Sequence, residues 1–364
     1  MLVVFAGGGT GGHIYPGVAV ARALQSADPS IEFEFWGSGR PLETEIFQKE
    51  SLKHRTLPSA PLPKNPLALL KFLWSVPAGF AASRRLLREL RVAAVVGLGG
   101  FSSYAPVRTA VSLGLPAFLL EQNAVPGNAN IRLARRASLT CLSWEASGNR
   151  LRGAATEVTG NPLRKNIVDA AAGAAYDPSA GILIFGGSTG AVGLNNLVVG
   201  AAKALGSLGR PITHQTGSQD FQRVQSAYRD ARIQARVLPY IDDMSSAYRS
   251  AALVIARAGG TTLSELALFG LPSVLIPYPH HKDYHQMENA RIFLRAGAAA
   301  VIEEKKNTSA DLASSVSSLI ADAPALLKMH HAARGLARPD AAETLASRIL
   351  ASIHSGSVKG RLER

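Results

Sequence analysis

The chain has 364 residues, 47% hydrophobic and 18% charged, with a formal net charge of +13. That composition excludes a disordered chain, and the length suits two α/β domains better than one. The single cysteine excludes an internal disulfide, and the positive balance points to nucleic acid, an anionic membrane or a polyanionic substrate.

The first stretch reads as strand, glycine turn and helix. An apolar run, Leu2–Ala6, leads into Gly7–Gly12, where five of six residues are glycine, and His13 follows. Val18, Ala19, Ala21, Ala23 and Leu24 then recur at helical spacing. A helix starting at such a turn offers unpaired N–H groups and a positive dipole end to an anion. His13 beside it is a candidate for proton transfer. Leu2–Ala6 is too short for a secretory signal and lacks a basic segment before it. No stretch reaches the roughly 18 apolar residues that a spanning helix needs. A reducing cytoplasm is the expected setting.

Ile31–Gly37 alternates as a second strand. Gly7, Gly9 and Gly12 formally match a dinucleotide fingerprint, but the second strand ends Phe35-Trp36-Gly37-Ser38, without the acid that would hold a ribose. Residues 51–91 hold eight Lys/Arg against one acid, Glu89, a local charge of +7. Within them Leu67, Leu69, Leu70, Phe72, Leu73, Trp74 and Val76 form a dense apolar cluster bracketed by Lys64, Lys71, Arg84, Arg85 and Arg88. An ordinary core helix with solvated flanks explains this. So does an interfacial segment whose apolar side chains dip into a leaflet while cations meet anionic headgroups. No repeated aromatic platform supports nucleic-acid binding.

Val92–Gly97 is a buried strand that runs into a second glycine turn at Gly99-Gly100 and a helix through Ala110. Ala117–Leu120 is the next strand and ends in Glu121-Gln122-Asn123. Glu121 and Asn123 read equally as site residues or as turn caps. Ser138–Leu142 is strand-like, and Cys141 within it reads as a small core hydrophobe. Residues 156–164 carry turn chemistry, which places a domain boundary near Pro162, and residues 170–175 read as weakly structured.

The opening plan then repeats. Gly181–Phe185 is a strand, 186–191 (GGSTGA) a glycine- and hydroxyl-rich turn, and Leu194–Leu205 a helix, so two Rossmann-like halves are expected. Residues 236–243 predict a short strand, a turn and a helix start at Asp242. The strand Leu253–Ala256 feeds Arg257-Ala258-Gly259-Gly260-Thr261-Thr262-Leu263-Ser264-Glu265. Those glycines and threonines predict a phosphate-receiving helix N-terminus. Glu265, one turn in, is spaced to accept two ribose hydroxyls, the alternative being a capping-box acid. Pro272–Pro277 is a further strand. His281 and His285 have i,i+4 spacing, but no third ligand is evident, and no metal is expected. Ala341–Ile353 is amphipathic and suited to pack back on the first half.

Taken in order, GGTGGH (8–13), LGGF (98–101), EQN (121–123), GNPLR (160–164), GGSTGA (186–191), YIDDM (240–244), RAGGTTLSE (257–265) and HKDYHQMENA (281–290) resemble the MurG family of peptidoglycan N-acetylglucosaminyltransferases over nearly the whole chain. The resemblance implies an α/β GT-B glycosyltransferase fold, two Rossmann-like domains facing across a deep cleft. The expected division is 1–162, with the helix 341–364 packing back on it, and 163–340 as the donor domain. It also implies inverting transfer of GlcNAc from UDP-GlcNAc to the C4 hydroxyl of MurNAc in undecaprenyl-diphospho-MurNAc-pentapeptide (lipid I), giving lipid II. A UDP-GlcNAc 2-epimerase, or another GT-B nucleotide-sugar enzyme, is the alternative on the same fold.

Carried over by motif position, the donor contacts fall on Thr10, Gly11, Gly12, Asn123, Arg164, Ser188, Ile241, Gly260, Thr261, Thr262, Leu263, Ser264, Glu265 and Gln286. Glu265 would hold the ribose, the Ile241 backbone the uracil, and Gln286 with Asn123 the GlcNAc. His13 matches the histidine proposed as general base. No cofactor is implied. Residues 64–88 then become a docking surface on the anionic cytoplasmic leaflet, and the expected location is peripheral on the plasma (inner) membrane. Thr189 departs from the glutamine common in the family, and Phe101 from the common tyrosine, so no donor contact is assigned to Thr189.

Overall fold

The computed structural model describes residues 1–61, 63, 65–187, 190–280 and 284–362, and the side chains of 66–68, 71 and 356–362 lie outside that description. The chain forms two compact units, Met1–Arg164 with Pro339–Arg364, and Lys165–Arg338.

The first unit begins β1 (Leu2–Gly7), α1 (Gly11–Ala27), β2 (Glu32–Gly37), α2 (Pro41–Lys49) and β3 (His54–Thr56). It continues α3 (Pro66–Glu89), β4 (Val92–Gly99), α4 (Tyr104–Ser112), β5 (Ala117–Glu121), α5 (Asn128–Leu133), β6 (Leu139–Leu142) and β7 (Thr156–Val158). The strands form one parallel sheet in the order β3-β2-β1-β4-β5-β6-β7. Helices cover both faces, so the central strands read as continuous apolar runs rather than alternating ones. On one face Phe5, Phe35 and Val96 pack with Val18 and Leu24 of α1, and on the other Val4, Trp36 and Val95 pack with Leu86 and Leu87 of α3 and Val107 of α4.

The second unit runs α6 (Lys165–Ala172), β8 (Gly181–Phe185), α7 (Val192–Gly206), β9 (Ile212–Gln215), α8 (Phe221–Asp230), β10 (Arg236–Leu238) and α9 (Met244–Arg249). Then come β11 (Ala251–Ala256), α10 (Gly260–Phe269), β12 (Ser273–Leu275), α11 (His285–Ala296), β13 (Ala299–Val301), α12 (Ser309–Ala321) and α13 (Ala323–Gly335). Its parallel sheet has the order β10-β9-β8-β11-β12-β13. Both sheets therefore reverse direction beside their first strand, between β1 and β4 and between β8 and β11. In open α/β sheets that switch point, at the carboxyl ends of the strands, is where ligands bind.

The last helix, α14 (Ala341–Leu362), belongs to the first unit. Leu345, Ala346, Ile349 and Ile353 join the core of α1, and Arg348 clamps Glu157 of β7 with bonds of 2.8 and 2.9 Å. That pairing holds the Glu157 carboxyl below its ordinary range.

Three expectations are corrected. Thr156–Val158 is an edge strand paired in register with Thr140–Leu142, since an edge needs partners on one side only. Residues 170–172 are not weakly structured but close α6, which buries Ile167 and Ala171. Asp243, rather than Asp242, caps α9, its Oδ1 accepting from the Ser246 N–H at 3.1 Å. Cys141 is buried in β6, and desolvation pushes its thiol up to about 12, so it is an inert core group.

Candidate active site

At the first switch point, Gly7, Gly8 and Gly9 all take positive φ, which lets the chain leave β1 and enter α1 without a Cβ in the way. Thr10 is the exposed residue before α1, and Gly11 and Gly12 open the helix. The Thr10 hydroxyl stands 3.1 Å from His13 Nδ1. The imidazole is half-buried and rests on the second glycine turn. A Cβ on Gly99, at φ +98, would stand 3.1 Å from His13 Cδ2 and 3.4 Å from Nε2. The two glycine turns are thus one device: the second makes room for the ring that the first presents.

Glu121, the last residue of β5, is 3% exposed, and its carboxylate accepts from the backbone N–H groups of Asn123 (3.0 Å) and Gly127 (2.9 Å) and from Asn130 Nδ2 (2.9 Å). Desolvation raises its pKa, and these donors pull the other way. Glu121 therefore fastens the loop, the cap reading of the two left open. Asn123 is half-buried in that loop, its carbonyl accepting from the Ser147 hydroxyl at 2.7 Å. Arg164 lies with its guanidinium 4.5 Å above the Tyr15 ring of α1. So Thr10–His13, Asn123 and Arg164 all belong to the first unit.

In the second unit, the turn after β8 has Gly187 and Gly190 at positive φ, and Ser188 and Thr189 lie outside the described residues. The turn after β11 opens α10 with Gly259 as its cap, and no side chain caps the helix. The capping-box alternative for Glu265 is therefore not what forms. Instead Glu265 Oε2 accepts from the Tyr248 hydroxyl at 2.7 Å. Tyr248 is 1% exposed and packed against Phe185 and Phe269, so a rigid phenol aims the carboxylate. Sequence reasoning missed Tyr248, which sits on a different helix.

Thr261 and Thr262 are half-buried beside the helix start. Ser264 turns its hydroxyl back to Gly260 O at 3.0 Å. Leu263 is fully buried and offers only its backbone. Ile241, 8% exposed, follows the carboxyl end of β10. Gln286, in the first turn of α11, accepts from the Tyr278 N–H at 2.8 Å, and Asn289 Nδ2 ties the same helix to Ala258 O at 2.9 Å.

A second missed group is Glu304. It pairs with Arg257, which is 6% exposed and also donates to Ile276 O at 3.0 Å. One guanidinium so joins the end of β11, the end of β12 and the segment after β13 behind the α10 N-terminus. His285 opens α11, and its i−4 neighbour His281 lies outside the described residues. Among the described residues no three His, Cys, Asp or Glu side chains gather as a metal-ligand group.

Residues 3–140 match the glycosyltransferase family 28 N-terminal domain, and residues 181–345 the family 28 C-terminal domain. Two parallel α/β units with these domains define a GT-B glycosyltransferase. The UDP-N-acetylglucosamine–N-acetylmuramyl-(pentapeptide) pyrophosphoryl-undecaprenol N-acetylglucosamine transferase of Geobacter metallireducens is 38% identical over 359 residues, 97% of this chain and 99% of that protein. The crystal structure of MurG from Acinetobacter baumannii matches with a TM-score of 0.79 at 30% identity, over 96% of this chain and 99% of that one. The chain belongs to this MurG transferase family. A UDP-glucose:anthocyanidin 3-O-glucosyltransferase in complex with UDP, at 14% identity and a TM-score of 0.68, covering 96% of this chain and 99% of its own, shares the fold alone.

Proposed function

We propose that this protein transfers GlcNAc from UDP-GlcNAc to the C4 hydroxyl of MurNAc in undecaprenyl-diphospho-MurNAc-pentapeptide, with inversion, forming lipid II. The observation that carries the site assignment is the α10 N-terminus at a switch point, with the Tyr248-aimed carboxylate of Glu265 one turn along. Glu265 accepts the two ribose hydroxyls and the Ile241 backbone meets the uracil. The N–H groups at Gly260, Thr261 and Thr262, together with Ser188 and Arg164, take the diphosphate. Leu263 and Ser264 line this helix start through their backbone. Gln286 of the second unit and Asn123 of the first position the sugar, and Thr10, Gly11 and Gly12 are further donor contacts.

His13 is the general base. With Nδ1–H donating to the Thr10 hydroxyl, Nε2 is the nitrogen that takes the proton of the attacking C4 hydroxyl. The new bond forms at the anomeric carbon from the face opposite UDP, and the bond to the UDP oxygen breaks. The negative charge that develops on the diphosphate falls on the α10 N-terminal N–H groups and a guanidinium. The test is UDP release from UDP-GlcNAc that depends on a lipid I analogue.

The same reading places the protein peripherally on the cytoplasmic face of the plasma membrane, docked through residues 64–88. No helix among the described residues is long and apolar enough to cross a membrane. On α3, Leu70, Leu73 and Trp74 are 66%, 58% and 72% exposed, an apolar stripe that a soluble face rarely carries. Arg84, Arg85 and Arg88 are exposed further along the helix, while Lys64 and the side chain of Lys71 lie outside the described residues. Of the three tryptophans, Trp36 and Trp144 are buried. Vesicles with about 30% phosphatidylglycerol should therefore blue-shift the fluorescence of Trp74 alone. Reversing Arg84, Arg85 and Arg88 to glutamate should weaken binding at least about tenfold, at about 1 kcal/mol per cation. Unchanged emission, or unchanged binding by the reversed variant, rules the surface out.

A further inference from the structure

A buried hydrogen-bonded chain in the second unit has no part in the mechanism above. Asn195, in the first turn of α7, is fully buried, and its Nδ2 donates to Thr216 O at 3.0 Å and to Asp220 Oδ2 at 2.7 Å. With both amide hydrogens committed, Oδ1 is left to accept. It faces His214, also fully buried, whose Nε2 lies 3.1 Å away, while Nδ1 lies 3.2 Å from the Tyr228 hydroxyl. One assignment satisfies every group: Nε2–H donates to Asn195, and Nδ1 accepts from Tyr228. It requires a neutral ring. Burial supplies one, pushing the imidazole down to about 3 although the Asp220 charge opposes the shift. Arg223 in turn clamps Asp220 with bonds of 2.6 and 2.7 Å.

The chain ends at the Thr216 carbonyl, and that carbonyl carries the glycine turn after β8. A Cβ on Gly190, at φ +78, would stand 2.1 Å from Thr216 O, so nothing larger than glycine lets the turn lie there. Asn195 also donates its backbone N–H to Ala191 O, the last residue of the turn, at 2.9 Å. The same asparagine thus grips both the turn and the strand end on which the turn rests. A purely structural core could use apolar side chains of equal volume, whereas five linked polar side chains fix one geometry.

We propose that Asn195 and His214 are positioning residues for the donor diphosphate. They hold Gly190 and Ala191 of this turn against the carboxyl end of β9 in the single His214 tautomer that completes the chain. This rests on the reading that 186–191 receives the donor.

The test measures initial rates against UDP-GlcNAc and against a lipid I analogue for wild type, Asn195→Ala, His214→Phe and His214→Gln. It adds the imidazole ¹⁵N spectrum of the wild type. Asn195→Ala and His214→Phe should raise the donor KM about tenfold, the loss of one buried hydrogen bond, and leave the acceptor KM unmoved. His214→Gln, which can still accept and donate, should recover most of the loss. The His214 ring should show the Nε2–H neutral pattern unchanged between about pH 5 and 8. Donor KM values within about twofold of wild type, or equal effects on both substrates, overturn the proposal. Should the variants not fold, an Nδ1–H or titrating His214 in the wild type overturns it alone. A wild type that does not transfer GlcNAc instead removes the donor-site reading and leaves the tautomer standing.

Discussion

His13→Ala is expected to lose GlcNAc transfer by about 10²–10⁴-fold, the range a positioned general base supplies. The loss should appear in kcat. The imidazole is half-buried at a helix end and touches Thr10 Oγ1 and the open face of Gly99. Its removal leaves no sealed cavity, so the melting temperature and the stabilisation by UDP should stay as in wild type. Gly99→Ala should reproduce part of the defect from the other side, since its methyl would stand 3.1 Å from the ring and φ +98 is strained for alanine. Full activity in His13→Ala with the fold intact would remove the base assignment and leave donor binding untouched.

Glu265→Ala is expected to act on the donor instead. A carboxylate accepting two hydroxyls contributes about 1.5–3 kcal/mol for each charged hydrogen bond, about 3–6 kcal/mol for the pair, so the donor KM should rise by about 10²–10⁴-fold. The thermal shift produced by UDP should shrink with it. Tyr248→Phe should show a smaller rise, because the carboxylate remains and only its aim is lost. Acceptor KM is the internal control in both variants. Equal UDP stabilisation of wild type and Glu265→Ala would show that the ribose sits elsewhere.

The strands and glycine turns were legible because each signal is local. A buried parallel strand is a short apolar run, and a turn that approaches a ligand closely needs glycine, so Leu2–Ala6 with Gly7–Gly12, and Leu253–Ala256 with Gly259–Gly260, announce themselves. Glu265, the acid proposed for the ribose, stands out in the sequence for the same reason, being one helical turn past such a start. What sequence could not supply were the partners. Tyr248 reaches Glu265 from a separate helix, and Glu304, after β13, reaches Arg257, after β11, across the intervening β12. No spacing rule encodes either pair. Glu121 shows the reverse case: its position past a strand end read equally as a ligand contact or a turn cap, and two N–H groups of the following loop and Asn130 of α5 hold the carboxylate. The short elements β7 and α6 were read as turn and coil because three or eight residues carry too little periodicity to outweigh Gly, Asn and Pro nearby. The interfacial stripe of α3 was visible only as one of two readings, since an apolar cluster does not say which of its members are covered. Exposure at Leu70, Leu73 and Trp74 favours the membrane reading.

The most direct measurement incubates the purified protein with UDP-GlcNAc, with and without a lipid I analogue in anionic vesicles, and analyses both sugar products. The account predicts a β-linked GlcNAc on the MurNAc C4 oxygen, UDP released in equal amount, and neither without acceptor. Formation of UDP-ManNAc from UDP-GlcNAc alone, with no transfer to the acceptor, would contradict it.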